Sequence, residues 1–400
     1  MVVKVAERRS GLRLRRIVAV AVTVVLFLSI GIFVGWGLLQ TRTTMVTGVI
    51  GSEKEPFFDD PRVRDRFAEL GYTIEVSTAG SRTIATDIDL SEDDFAFPSS
   101  TPSAEELQKN EEVQEDRLYE PFFSPMVILS RTPVVESLAE AGLATQENNG
   151  SWTFDMSAYL ELAGKGRRWR DMPGDFGGSN PNVVLVRTTD PRSSNSAAMY
   201  LVVTSYLLNG ESIIDTQIDP KLVDRVSGLF LDQGNPPETS QQPFKQFVSL
   251  GASHTPLLWA YEAQYISAKV NEANFPDDIV LLYPSPTTFS THTVVALNEK
   301  GAEVGRYLTD DSELQRLAVE HGLRPNGDGT AFTDFTEEKG LNVRPSIDSI
   351  VYTPTYNALD GMLNAIEKRY SDGGVPPASE DIDNAAVSPP HSPDRDDLEG

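Results

Sequence analysis

The sequence predicts an α/β protein with open, mainly parallel sheets, preceded by one transmembrane helix. Strand-like apolar runs alternate with capped helical segments from about residue 45 to residue 325. One uncharged run near the N-terminus is long enough to cross a bilayer. The 400 residues leave room for one large or two to three ordinary domains.

The N-terminal segment 1–16 carries Lys4, Arg8, Arg9, Arg13, Arg15 and Arg16 against Glu7. Ile17 to Leu39 follows without a charge, and its 23 residues span about 34 Å as a helix rising ~1.5 Å per residue. Clustered arginines before the run, and only Arg42 just after it, place the N-terminus in the cytoplasm and the body outside. The run is longer than a signal-peptide core and ends in WGLLQTRTT without a small-x-small site. The expectation is an uncleaved signal anchor in a single-pass protein of the cell membrane with an extracellular body.

Past Thr44, MVTGVI (45–50) reads as a strand, DPRVRDRFAELG (60–71) as a helix stopped by Gly71, and YTIEVS (72–77) as an alternating strand. NVVLVRTT (182–189) has the continuous Val/Leu character of a strand buried in a parallel sheet. SSNSAAMYLVVTSYLL (193–208) then supplies Ser caps for an apolar helix. DDIVLLYP (277–284), HTVVALNE (292–299) and SELQRLAVEHG (312–322) continue the alternation. From Ser371 the chain is rich in Pro, Ser, Asp and Glu, so 371–400 is expected to be a disordered acidic tail.

Composition excludes several functions. The formal charge of −25 repels phosphate backbones, so nucleic acid is not an expected partner. With no cysteine there is no disulfide, thiolate metal site or cysteine nucleophile. His254, His292, His321 and His391 lie far apart without metal-ligand spacing, and neither a G-x-S-x-G elbow nor a Walker pattern occurs. The acidic SEDD (91–94) and the Asp277–Asp278 pair lack the alternation of an EF-hand loop and read as solvated turns. RRWRD (167–171) reads as a salt-bridged turn, with a carbohydrate or partner site as the alternative. No catalytic activity, metal or cofactor is expected.

Three junctions are rich in small hydroxyl residues and glycine: STAGSRTIA (77–85), FPSSTPSAEEL (97–107) and TTDPRSSNSAAMYL (188–201). Each offers hydroxyls and free backbone N–H groups at an expected helix N-terminus, which suits an anion or polar ligand. Ordinary N-capping accounts for any one of them alone. Three together point to a shared pocket at the carboxyl ends of strands.

The order of these segments resembles the type 2 periplasmic solute-binding proteins, in particular the molybdate, sulfate and phosphate branch. VTGVIGSEKEPFFDDPRVRDRFAELGYTIEV resembles their first β-α-β unit. FSPMVILSRTP (123–133) is similar to the segment that crosses to the second lobe, and FPDDIVLLYPSPTTFSTHTVVAL (275–297) to the return crossing. VVLVRTTDPRSSNSAAMYL is similar to their strand, Asp-Pro turn and ligand-facing helix, and DDSELQRLAVEHGLRP (310–325) to their late helix.

The resemblance implies lobe I from 45–122 and 290–370, lobe II from 123–289, and a small polar or anionic ligand held in the cleft between them. It also implies a partner, the permease of an ABC-type transporter. Carried over by position, Ser52, Gly80, Ser81, Ser99, Ser100 and Thr101 line the cleft from lobe I, and Ser193, Ser194, Asn195, Ser196, Tyr261 and Glu262 from lobe II. Glu53 and Glu262 depart from an anion binder, because a carboxylate there opposes an oxyanion unless Lys54, Arg82 or Arg192 offsets it. Arg82 and Arg192 are thus the expected charge partners. Glu262 either accepts hydrogen bonds from an amine or polyol or lies on a helix surface. The alternative function is a bilobed sensory or scaffold ectodomain without a transport role.

Overall fold

The computed structural model describes residues 43–178 and 180–372. The basic segment 1–16, the apolar run 17–39 and residues 373–400 of the acidic tail lie outside the described residues. Among the described residues, no helix is long and apolar enough to cross a membrane. These residues divide into a small unit, 43–45 with 67–73, and a large one, 46–66 with 74–372. Within the small unit the Thr44 amide donates to the Gly71 carbonyl at 2.8 Å, and the Thr43 and Thr73 hydroxyls meet at 2.6 Å.

The chain opens with β1 (Thr44–Gly51), a 3₁₀ turn at Ser52–Lys54, α1 (Glu55–Asp59) and α2 (Pro61–Glu69). Next come β2 (Tyr72–Ala79), α3 (Ser81–Thr86), β3 (Phe95–Phe97), α4 (Thr101–Asn110) and the long β4 (Leu118–Arg131). A second group follows with α5 (Thr132–Glu140), β5 (Ala144–Gln146), β6 (Trp152–Asp155), α6 (Met156–Gly164), α7 (Asn195–Leu208), α8 (Pro220–Leu231) and α9 (Gln241–Leu250). It continues through β7 (Leu258–Tyr261), α10 (Glu262–Asn271) and β8 (Ile279–Ser285). The chain then runs through β9 (Phe289–Ala296), α11 (Glu299–Asp310), α12 (Ser312–Glu320), β10 (Arg324–Pro325), α13 (Thr330–Glu338) and α14 (Tyr356–Asp372).

Strand β4 joins two lobes. Its first half, Leu118–Pro125, pairs antiparallel with β9, and β10 docks on Phe122 and Phe123. Its second half, Met126–Arg131, pairs antiparallel with β7 and β8 instead. The sheet order β2-β1-β3-β9-β4-β8-β6-β5 therefore passes through one shared strand, with β8 and β9 on the return. Only β1–β3 and β6–β8 are parallel among these register-matched pairs, so the expectation of mainly parallel sheets is corrected to a mixed α/β fold. The reason is the return path. A chain that crosses between lobes and comes straight back must run antiparallel to the strand it crosses beside.

Local sequence explains most of the elements. Ser100 starts α4 by accepting from the Ser103 amide at 3.3 Å, with Pro102 in the first turn. Asp155 caps α6 by accepting from the Ala158 amide at 2.9 Å. Helix α7 is apolar on every face and buried from Asn195 to Ser205, which places it inside the second lobe. There Tyr200, Met199 and Val203 join Phe154, Tyr159, Trp259 and Phe230 in the largest core. The first lobe has its own smaller core of Val49, Ile84, Ala96, Leu107 and Val295.

Three expectations are corrected here. Residues 182–189 form no strand and make only isolated bridges, Val183 to Arg168 and Arg187 to Leu258 of β7. Val184 and Val186 fill the core, and the Val186 amide donates to the Tyr159 hydroxyl at 3.0 Å instead of to a neighbouring strand. Helix α14, assigned from sequence to lobe I, buries Leu359, Met362, Leu363 and Ile366 in the core of α7 and α8. It also runs to Asp372, into the stretch read as tail.

The remaining sequence features have structural roles. Asp94 of the SEDD run accepts from the Thr47 amide at 2.9 Å and from Lys300 at 3.1 Å. In the basic patch, Trp169 is buried and its amide donates to the Asn182 carbonyl at 3.0 Å.

Candidate functional site

The loop after β1 turns sharply inward. Gly51 permits this, because a Cβ there would lie 2.3 Å from Ser99 Oγ and 2.6 Å from Glu53 Oε1. Ser52, Glu53 and Lys54 are all buried in the turn that follows. Facing them, α7, α9 and α10 begin at Ser194, Ser240 and Tyr261, so three helix N-termini from the second lobe point at the end of β1.

A small cavity of about 10 Å³ lies between the lobes, bordered by Ser52, Glu53, Gly80, Ser81, Ser194, Asn195, Ser240 and Tyr261. Its room is on the order of one water molecule. It adjoins a groove of about 360 Å³ lined by Ser52, Glu55, Thr78, Thr239, Gln241 and Lys245 among others. The lobes are held together across the cavity by neutral hydrogen bonds. Asn195 Nδ2 donates to the Ser99 carbonyl at 2.8 Å, the Gln241 amide to Ser52 Oγ at 3.3 Å, and the Arg82 amide to the Ser193 carbonyl at 3.1 Å. Gly80 is what lets the backbones approach, since a Cβ there would lie 2.3 Å from the Ser193 carbonyl oxygen.

Of the residues expected from sequence, Ser52, Gly80, Ser81, Ser194, Asn195 and Tyr261 border the cavity. Ser81 Oγ accepts from the Ser99 amide at 2.8 Å, and the Ser194 hydroxyl accepts from Thr189 Oγ1 at 2.8 Å. Ser99 stands behind the lining and connects it to the charged groups. Ser100 caps α4 and faces away, and Thr101 Oγ1 donates to Glu120 at 3.2 Å on the surface. The Ser193 hydroxyl donates to the Glu238 carbonyl at 3.0 Å. Ser196 is buried in the first turn of α7, its hydroxyl without a partner among the described residues.

The expected charge partners are corrected. Arg82 pairs with Asp360 of α14 at 2.8 Å and donates to the Arg192 carbonyl at 3.1 Å. Arg192 pairs with Asp190 at 2.5 Å and lies over the Tyr370 ring. Neither borders the cavity. Glu262 also points elsewhere. It receives two bonds from the Arg324 guanidinium, at 2.7 and 2.9 Å, and one from the Tyr283 hydroxyl, so it is a buried ion pair linking α10 to β10.

The charges at the cavity are those of Glu53 and Lys54. Lys54 Nζ is fully buried and donates to Glu53 Oε1 at 2.5 Å, to Ser99 Oγ at 2.8 Å and to His292 Nδ1 at 3.2 Å, above the Phe97 ring. Because an ammonium only donates, this contact puts the imidazole hydrogen on Nε2, which is buried without a partner among the described residues. Ser99 also donates to Glu53.

Burial alone would raise the Glu53 carboxyl, but the adjacent Lys54 charge outweighs it and holds Glu53 well below its ordinary value. Burial pulls the Lys54 ammonium down, opposed by Glu53. Burial and the Lys54 charge push His292 down to about 4. Burial and the Glu53 charge raise the Tyr261 phenol, which keeps it a neutral hydroxyl.

Sequence reasoning missed Ser240, Thr239, Ser290 and His292. The segment ETSQQPF has the same hydroxyl-before-helix pattern as the three junctions, so Ser240 was legible by that rule. His292 lies inside an apolar strand and reaches Lys54 across 238 positions, which no local signal reports.

No protein-family model and no curated protein matches the sequence. Solved structures do share its fold. The sulfate-binding protein of Mycobacterium tuberculosis aligns with 82% of this chain and 99% of its own at 17% identity, with a TM-score of 0.50. The apo ferric ion-binding protein A of Pasteurella haemolytica covers 84% of this chain and 99% of its own at 10% identity, also with a TM-score of 0.50. The fold is thus one shared with these two solved proteins, two α/β lobes joined by crossing strands.

Proposed function

We propose that this chain is a solute-binding protein, anchored in the membrane by residues 17–39, that captures a small polar or anionic solute outside the cell for an ABC-type transporter. One observation carries the reading. The end of β1 and the N-termini of α7, α9 and α10 meet at a hydroxyl- and amide-lined cavity between lobes joined by β4 and the β8–β9 return. Such a site binds by closing. The lobes separate at the neutral contacts described above and at the Arg82–Asp360 pair, and a solute that bonds both faces shifts the population toward the closed form. No nucleophile with a positioned base borders the cavity, and binding followed by release needs none.

The test is a thermal-shift screen of the full chain against molybdate, tungstate, sulfate, phosphate, amino acids, polyamines and sugars. A ligand at ~100 times its dissociation constant adds about 2.7 kcal/mol, read as a shift of several degrees. A hit supports the reading. No shift with any solute assigns the chain to the alternative, a sensory or scaffold ectodomain. Carbonate washing of membranes checks the anchor, since release of the full chain into the wash excludes a spanning segment.

A further inference from the structure

The one charged side chain bordering the cavity among the described residues, Glu53, is already paired with the Lys54 ammonium behind it. Every other side chain that borders it with a polar group is a neutral hydroxyl or amide: Ser52, Ser81, Ser194, Asn195, Thr239, Ser240 and Tyr261. This set, together with three helix N-termini and the Lys54 ammonium close behind, is what a small oxyanion requires. Yet the Glu53 carboxylate borders the cavity itself, with only 3% of its side chain exposed, and it takes up both the Lys54 ammonium and the Ser99 hydroxyl. Gly51 clears the space for that carboxylate, since any Cβ there would collide with it. The remaining volume is on the order of one water molecule, so carboxylate and oxyanion compete for the same room and the same cation.

We propose that Glu53 is the specificity-determining residue of this cavity: its carboxylate occupies the seat of an oxyanion, excludes sulfate-like solutes and directs the site to uncharged hydrogen-bonding ones such as sugars or polyols. The inference rests on the solute-binding reading for the second half of that statement only. Lys54 is the latent cation. Removing the Glu53 carboxylate leaves Lys54 buried without a counter-charge and opens the space beside it, so a free oxyanion then satisfies both.

The experiment compares the full-length wild type, Glu53→Ala, Glu53→Gln and the double variant Glu53→Ala/Lys54→Met by calorimetry and thermal melts, in 1 mM sulfate, phosphate or molybdate against chloride of equal ionic strength. The expected result is no oxyanion binding to the wild type, a gain of at least 100-fold in affinity for one oxyanion in Glu53→Ala, a smaller gain in Glu53→Gln, and loss of the gain in the double variant. If Glu53→Ala does not fold in chloride, recovery of a cooperative melt on adding the oxyanion reads the same gain, and failure to recover overturns the proposal. A folded Glu53→Ala without the gain, or a gain that survives Lys54→Met, also overturns it. Wild type that binds an oxyanion as tightly as Glu53→Ala removes the role of Glu53 and leaves the solute-binding reading standing. Wild type silent to sugars, polyols and every other solute, with the Glu53→Ala gain intact, removes the transport reading and leaves the seat.

Discussion

At the scale of the residue, two buried ion pairs have different roles: Glu53–Lys54 lies at the cavity and Glu262–Arg324 braces the fold. The bidentate bond of the second pair is closed by Tyr283 and by the Arg344 and Pro345 carbonyls, so each charge is compensated only while the other is present. Glu262→Gln is expected to cost about 3–5 kcal/mol in urea unfolding while leaving solute affinity within twofold. A loss of affinity without loss of stability would return Glu262 to the site.

His292 gives the fold a pH response. It is held between Lys54 and Glu53, against the Phe97 and Tyr261 rings, and its pKa of about 4 lies below the ordinary 6.5. The unfolded chain therefore binds the proton more readily, and the stabilisation present above pH 6.5 is lost as pH falls toward 4, by about 3 kcal/mol. The depressed Glu53 carboxyl acts only below its own unfolded value of 4.5, a lower window. Denaturant midpoints measured from pH 7 to pH 4.5 should fall in the wild type and fall less steeply in His292→Asn, where the buried His321, also lowered by burial, supplies the remaining slope. Equal slopes in the two proteins would place the response elsewhere.

At the scale of the element, strand and helix periods in the sequence located most of the pieces. MVTGVI, YTIEVS, DDIVLLYP and HTVVALNE fall within β1, β2, β8 and β9 or within three residues of their ends. The failure at 182–189 is instructive. An apolar run signals burial, and Val184 and Val186 are buried, but the run does not say whether a neighbouring strand is available on both sides. The three hydroxyl-rich junctions reported helix starts correctly, and two of them supply residues that border the cavity. The junction at Gly80 also fixes how closely two elements approach. Gly80→Ala forces its Cβ against the Ser193 carbonyl oxygen, breaks the bond from the Arg82 amide, and is expected to cost about 1–3 kcal/mol. Small-angle scattering should show a larger radius of gyration for Gly80→Ala, and an unchanged radius would mean that the lobes tolerate the collision.

At the scale of the whole molecule, the two lobes of the large unit are held together by neutral hydrogen bonds at the cavity and by the Arg82–Asp360 ion pair beside it. Asn195 is central to them, since its amide reaches the Ser99 carbonyl, the Tyr261 hydroxyl at 3.2 Å and Ser290 Oγ at 3.4 Å. Asn195→Ala is expected to cost about 1–3 kcal/mol and to weaken solute binding by favouring the open form. Hydrogen exchange should quicken at the first turns of α3 and α7 and stay unchanged in the core of α7. Faster exchange throughout α7 would mark a folding defect instead.

Composition, apolar periodicity and hydroxyl-rich helix starts determined the α/β class, the absence of sulfur chemistry and much of the cavity lining, because each is written in residues close together in the chain. Only the tertiary structure decided which charges meet. Arg82 was available to a ligand by sequence and is taken by Asp360, 278 positions away; Glu262 is taken by Arg324; and the pair left at the cavity is Glu53 with Lys54, backed by a histidine from the returning strand. A salt bridge depends on distance in space and on the water excluded around it, and neither quantity is set by local order along the chain.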